Sequence, residues 1–309
     1  MNILILCSGN FPNFEFEKHQ AFIFDQVNSI NKNDKNISFY YHFIIGKGVS
    51  GYLKNLSEIN EKIFNYKIDL IHAHGGMSGF LANLQRSVRV VTTFHGSDIN
   101  YYKNRIISYF AIFFSSHSIF VSKKLLEKVI TKKNTHVIPC GVDTKLFRPR
   151  KKNKTKIQLN LDLEKKYILF SSNFENKVKN YQLLHDAKNY IKEKFEIIEL
   201  KNFDRKSVSR LFNAVDVAVM TSFSEGSPQF IKEAMASNCP IISVDVGDVK
   251  SIVKDAKFSA IISYNSKDLA DKINEFFKTN MASDGRNYIN NLKSDLIAKK
   301  IMAVYLNLT

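Results

Sequence analysis

Short apolar runs alternate with helix-period segments from one end of this chain to the other, and no other feature narrows the fold as far. Each apolar run is strand-length, and the segments between have the 3.6-residue rhythm of amphipathic helices. Strands separated by crossover helices pair in parallel, which calls for an α/β fold. In the first half the pattern predicts strands at Ile3–Cys7, Phe39–Ile45, Leu70–His74, Val88–Phe94, Ser118–Val121 and His136–Ile138. Helices are expected over Phe22–Asn31, Leu53–Phe64, Ser78–Leu84, Tyr102–Phe114 and Lys123–Ile130. Arg148–Lys156 is a basic, Pro-containing break, after which the pattern restarts. The second set of strands is Tyr167–Ser171, Glu196–Leu200, Val215–Met220, Ile241–Val244 and Ala260–Ile262. Its helices are Tyr181–Lys194, Lys206–Asn213, Pro228–Ser237, Val249–Lys254 and Lys267–Thr279, with Asn287–Leu306 as the last. Two doubly wound domains follow, at residues 1–148 and 149–291, with a helix at 292–309 expected to return toward the first. Such sheets bind ligands at the carboxyl ends of their strands, and a tandem pair is expected to face a central cleft.

The chemistry is densest at Ser224-Glu225-Gly226-Ser227-Pro228-Gln229-Phe230-Ile231-Lys232-Glu233-Ala234, after the apolar run Val215–Met220. Proline suits the first helical turn because its missing N–H has no partner there anyway. Ser227 is a candidate cap. The unpaired amides and positive dipole end of such a helix suit a phosphate. Glu225 on the turn can reach a sugar hydroxyl, and Glu233, about 1.5 turns in, can accept from a ribose. The segment reads as a holder for a sugar nucleotide.

The 309 residues carry a formal net charge of +16, and the excess is uneven. Residues 1–148 hold 18 Lys/Arg against 10 Asp/Glu, and Arg150–Lys156 adds five cations and no anion. A basic first half suits an anionic membrane surface or a diphosphate-bearing acceptor, and equally a solvated surface in a Lys-rich chain. No nucleic-acid-binding motif accompanies the charge, so nucleic acid is not expected as a partner. Three scattered cysteines, Cys7, Cys140 and Cys239, make neither a disulfide framework nor a zinc spacing, so a cytoplasmic setting is expected. The first residues read as a strand rather than a secretory leader. The most apolar window, Ile106–Val121, is interrupted by serines and His117 and falls short of the about 20 residues a membrane span needs. It reads as a buried helix followed by a strand. His72 and His74 flank Ala73 on one strand face, but nothing nearby completes a metal set, so no metal is expected.

Five motifs in order carry a resemblance. They are Thr93-Phe94-His95-Gly96-Ser97-Asp98, Val137-Ile138-Pro139-Cys140-Gly141-Val142-Asp143, the Glu225-x7-Glu233 element, Cys239-Pro240-Ile241-Ile242-Ser243-Val244-Asp245-Val246-Gly247-Asp248, and Gly285-Arg286-Asn287-Tyr288. Together they resemble the retaining glycosyltransferases of family 4, group 1 enzymes of the GT-B fold. The likeness covers nearly the whole chain and is densest over residues 165–255.

The resemblance implies two Rossmann-like domains, the first for the acceptor and the second for the nucleotide sugar. It implies that Glu225 contacts the donor sugar and Glu233 the ribose, while Gly226, Ser227 and Pro228 meet the diphosphate. Lys179 would offset charge on the leaving diphosphate. The family's basic partner is Arg; here Asn173 and Asn176 stand at the corresponding places, with Lys177 as the nearby cation. His95 would hydrogen-bond the transferring sugar, with Asp98 capping a helix or orienting it, and Gly9 would lie in the loop over the donor phosphate. Reaction on one face of the sugar is implied, so Glu225 is no nucleophile and the two-carboxylate logic of glycoside hydrolysis does not carry over. The expected donor is a UDP-sugar or GDP-sugar, with no cofactor and no metal. The expected acceptor is a glycan, free or lipid-linked, in a bacterial cell-envelope polysaccharide pathway, with the enzyme cytoplasmic or peripheral on the inner membrane face. Ser251 stands where many members have Glu. Two other readings stay open: a weak or inactive GT-B protein serving as a sugar-nucleotide or glycan-binding subunit, and another two-domain enzyme such as an epimerase.

Overall fold

The structure, a computed structural model, describes residues 1–131 and 134–308. The chain divides into two compact units, Met1–Gly141 with Ser294–Thr309, and Val142–Lys293. The division precedes Val142 rather than falling at residue 149. The Val142 amide donates to the Leu292 carbonyl at 2.8 Å, and Phe147 is fully buried in the second unit's core. Both residues are therefore built into the second unit.

The first unit holds a six-stranded sheet of β1 (Asn2–Ser8), β2 (Ser38–Ile44), β3 (Leu70–His74), β4 (Arg89–Phe94), β5 (His117–Phe120) and β6 (Thr135–Val137), in the order β2-β1-β3-β4-β5-β6. Every pairing is parallel. Successive side chains of a strand point to opposite faces. Ile3, Ile5 and Cys7 accordingly pack on one side with Ile297, Ile301 and Tyr305 of the closing helix, while Leu4 and Leu6 pack on the other with Ile59, Ile71 and Leu81. Both faces are covered, which is why β1 reads as an unbroken apolar run.

The second unit is a five-stranded parallel sheet of β7 (Lys166–Phe170), β8 (Phe195–Glu199), β9 (Val217–Met220), β10 (Ile241–Val244) and β11 (Ser259–Ile262), in the order β11-β10-β9-β7-β8. In both units the first strand has neighbours reached by opposite crossovers, so each sheet has a switch point beside it.

Five expectations are corrected. The last helix does not run over Asn287–Leu306: short 3-10 turns at Gly285–Tyr288 and Asn290–Leu292 precede a helix at Ser294–Leu306. Arg286 pins this stretch by donating to the carbonyls of Thr144, Phe147 and Ala236, which holds it to the second unit. The segment Leu53–Phe64 is two helices, Gly48–Leu53 and Leu56–Asn65. Between them the buried Asn55 amide donates to the carbonyls of Ile45, Gly51 and Tyr52, offering the backbone partners that compete with helical bonds. The helix expected at Lys123–Ile130 stops at Leu126, and the one at Tyr181–Lys194 stops at Ala187. Finally, the Tyr102–Phe114 helix is not a buried one: Tyr102, Ile106 and Phe113 are 71%, 55% and 51% exposed. No helix among the described residues is long and apolar enough to cross a membrane.

The basic break also proves structural in part. Lys156 is buried and its ammonium donates to the carbonyls of Leu163 and Lys165. Lys152 pairs with the buried Asp216 at 2.7 Å.

Candidate functional site

In the second unit the carboxyl ends of β7 and β9 are adjacent, and the loops leaving them carry Lys179 and Glu225. The β7 loop folds into a 3-10 turn at Lys177–Lys179, because the Asn176 side chain accepts from the Val178 amide at 3.2 Å. Asn180 then takes a left-handed conformation (φ 53°), a geometry Asn tolerates. The β9 loop is stitched to this turn. The Phe223 amide donates to the Val178 carbonyl at 2.8 Å, and the Thr221 hydroxyl contacts the carbonyls of Lys179 and Asn180 at 3.0 and 2.8 Å. Lys179 Nζ thereby reaches Glu225 Oε1 at 2.6 Å. Lys177 lies on the same turn but is exposed.

The helix after Glu225 spans Gln229–Ala236, with Pro228 as its entering residue. Ser227 does not cap it, contrary to expectation: its hydroxyl donates to Asp248 Oδ2 at 2.5 Å. The competing partner wins because the loop after β10 is pressed against this turn. Gly247 has φ 57°, and a Cβ there would come within 2.6 Å of the Gly226 carbonyl oxygen. Gly226, Ser227 and Pro228 are all buried, so the turn has a fixed shape.

Glu233 is 4% exposed and meets Arg205 Nη1 at 2.5 Å. Arg205 begins the helix Arg205–Ala214, whose entering Asp204 accepts from the Ser207 amide at 2.6 Å. Its guanidinium also lies over the Phe147 ring, 4.8 Å from the centroid. The sequence alone does not mark Arg205 as the partner of Glu233. The usable signal was Asp204 as a helix cap, which makes the next residue a fixed one.

In the first unit the carboxyl ends of β1, β3 and β4 are neighbours, carrying Gly9, His74 and His95. Ser8, Asn10, Gln20, Tyr52, His74 and His95 help to line a pocket of about 530 Å³. The Gly9 amide already donates to the Ile44 carbonyl at 2.9 Å, and a Cβ there would lie 2.9 Å from Phe43 Cβ. Gly9 thus shapes the loop and its N–H is committed within the fold. Asp98 accepts from the His95 and Gly96 amides at 3.0 and 2.8 Å, so its carboxylate organises the turn that holds His95. Burial raises the Asp98 pKa, with those amides pulling against it. His74 Nδ1 and His95 Nε2 share a hydrogen bond at 3.0 Å, and Phe22 packs on the His95 ring. His72, on the same face as His74, contacts Tyr305 Oη at 2.6 Å and Thr93 Oγ1 at 2.7 Å. Burial holds His72 neutral, with its pKa down at about 3, and drives His74 well below its ordinary value too. Among the described residues no group of three or more His, Cys, Asp or Glu could hold a metal ion.

Each unit matches a family profile. Residues 18–146 match that described as Glycosyltransferase Family 4, and residues 196–295 match that of Glycosyl transferases group 1. TuaC of Bacillus subtilis (strain 168), a glycosyltransferase assigned to teichuronic acid biosynthesis, is 28% identical over 238 residues. That match takes in 67% of this chain and 61% of the relative's length. Among solved structures, sucrose-phosphate synthase from Thermosynechococcus elongatus superposes with a TM-score of 0.81 at 15% identity, over 99% of this chain and 98% of its own. Anabaena HepE in complex with UDP-glucose gives a TM-score of 0.78 at 17% identity over 100% of both chains. At these identities the structural likenesses speak for the fold.

Proposed function

Because the chain belongs to the group 1 glycosyltransferases of the GT-B fold, we propose that it moves a sugar, with retention, from a nucleoside diphosphate sugar to a glycan acceptor. The observation that carries this reading is the Lys179–Glu225 contact at 2.6 Å beside the helix bearing Glu233, at the switch point of the second sheet. A cation for the diphosphate, a carboxylate for sugar hydroxyls and a second carboxylate for the ribose all stand at the carboxyl edge where such a sheet takes its ligand. Once turned to the bound diphosphate, Lys179 would stabilise charge growing on the leaving phosphate, where an ammonium already in place acts without reorganising during the step. Glu225, already paired to that lysine, would orient the sugar. HepE has been crystallised with UDP-glucose, which supports a nucleotide-sugar donor here.

We assign acceptor recognition to the polar pocket of the first unit, with His95 as its sugar-facing donor or acceptor. The relative assigned to teichuronic acid biosynthesis supports a surface-polysaccharide product, and a lipid-linked acceptor would bring the protein to an anionic membrane. The exposed Tyr102, Ile106 and Phe113, flanked by Lys103 and Arg105, form the apolar and basic stripe that suits such contact. No metal enters this scheme.

The test is a thermal-shift screen with UDP, GDP and their sugars, followed by a transfer assay on a glycan acceptor with added chelator. A ligand at about 100 times its Kd adds about 2.7 kcal/mol. Stabilisation by one nucleotide and metal-independent transfer with an unchanged anomeric configuration are expected. Stabilisation without transfer or donor hydrolysis would instead favour a binding subunit, and no stabilisation by any nucleotide would end the donor reading.

A further inference from the structure

Lys232 has no part in the scheme above, yet none of its surface is exposed. Its neighbours Phe230, Ile231, Ala234 and Met235 are core residues, and an uncharged side chain of similar length would fill the same space. Burying an ammonium costs several kcal/mol unless something compensates. The ammonium donates to the Ser227 carbonyl at 3.3 Å, and the Ser227 hydroxyl donates to Asp248 Oδ2 at 2.5 Å. One residue at the entrance of the Gln229–Ala236 helix is therefore held by a cation through its backbone and by an anion through its side chain. The carboxylate cannot readily swing away, since the loop bearing it is locked by the approach of Gly247 to Gly226.

A carboxylate in that place works against any anion at the helix entrance. In a medium less polar than water, a cation fixed on the inner side offsets it far more than a solvated one would. We propose that Lys232 is a positioning and charge-balancing residue for the donor's diphosphate: it cancels the field of Asp248 and holds Ser227 so that the helix entrance accepts an anion. This rests on the donor reading given under Proposed function. It also accounts for a buried charge that packing alone does not require.

The experiment is isothermal titration at low salt with inorganic pyrophosphate, UDP, GDP and, as phosphate-free controls, uridine and guanosine. Wild type, Lys232→Met, Asp248→Asn and the double variant are compared, with circular dichroism to verify folding. Lys232→Met should weaken pyrophosphate by about tenfold or more, equivalent to about 1.4 kcal/mol. The matching nucleoside should bind as before. Asp248→Asn should tighten pyrophosphate by about threefold, and the double variant should recover most of what Lys232→Met lost. A purely structural charge balance would also be relieved in the double variant, but it would not make Asp248→Asn bind pyrophosphate more tightly than wild type. A folded Lys232→Met that binds pyrophosphate like wild type overturns the proposal, as does an Asp248→Asn that binds no tighter. If Lys232→Met does not fold, the sign of the Asp248→Asn effect decides. Wild type that ignores pyrophosphate and both nucleotides would remove the donor reading itself, a different result from an indifferent variant.

Discussion

Acid should destabilise the first unit, and the size of the effect follows from two buried imidazoles. His72 and His74 sit on β3 with 0% and 6% of their surface exposed, their rings 4.3 Å apart. Burial is the leading cause of both depressed pKa values, and the neighbouring imidazoles add to it. The unfolded chain takes up a proton on each near pH 6.5, while the folded chain resists until far lower, about pH 3 for His72. Their contribution is thus intact above pH 6.5 and is lost as pH falls below it. One pH unit under the unfolded value costs about 1.4 kcal/mol per group, so moving from pH 7.5 to 5.5 should remove about 3 kcal/mol for the pair. His42, His117 and His136 are also lowered and act in the same direction. Asp98, raised by burial, acts in the opposite direction, and only as pH approaches the carboxylate range. Urea denaturation followed by far-ultraviolet circular dichroism at the two pH values measures the loss. The His72→Gln/His74→Gln variant should shift its midpoint much less than wild type over that interval. Equal shifts in both proteins, or none in wild type, would refute the argument.

Other outcomes are equally accessible. Glu225→Ala should keep the thermal midpoint within a few degrees and lower kcat by roughly 100-fold, the scale of losing one preorganised polar contact; wild-type turnover would remove its role. Gly247→Ala forces a Cβ to 2.6 Å from the Gly226 carbonyl at φ 57°, and should cost about 1–3 kcal/mol and weaken nucleotide binding, read by denaturation and titration. Ile106→Ser with Phe113→Ser should reduce sedimentation with anionic vesicles several-fold at low salt, whereas Lys151→Gln should change it little. A vesicle affinity unmoved by the first pair would take the membrane contact away from that helix.

The strands of both sheets stand in the sequence because parallel strands covered on both faces are forced to be apolar throughout. Ile3 to Cys7 and Val217 to Met220 have no solvent side to encode. Helix ends were harder to read. Asn55 ends a helix by bonding to three carbonyls, and a sequence does not state which carbonyls a buried Asn will find. The candidate site divides the same way. The family resemblance puts Lys179 and Glu225 at one site, while their direct pairing follows from the adjacency of β7 and β9, which the sequence does not state. Arg205 as the partner of Glu233 is not legible in the sequence: the Asp204 cap fixes where its helix starts, but the contact joins two helices 28 residues apart in the chain, and which side chain a buried Glu meets depends on their packing. Ser227 illustrates the limit most directly: its place before Pro228 suggests a cap, but Asp248, brought in by a distant glycine contact, takes its hydroxyl.

The ion pairs also bear on how a donor would enter. Glu225 and Glu233 are both engaged with cations, at 2.6 and 2.5 Å. A diphosphate sugar would therefore meet neutralised pairs, and binding would exchange contacts instead of adding them to bare charges. Lys179 would turn from Glu225 toward phosphate, while Glu225 would turn to sugar hydroxyls. Arg205 can stay with Glu233, since one carboxylate has room for a guanidinium and a ribose hydroxyl together. Losing Lys179 should then harm diphosphate binding and also leave Glu225 without its cation, so Lys179→Met and Glu225→Gln should be less than additive. A double-mutant cycle on donor affinity measures that coupling, and strict additivity would mean that the two residues act on the donor independently.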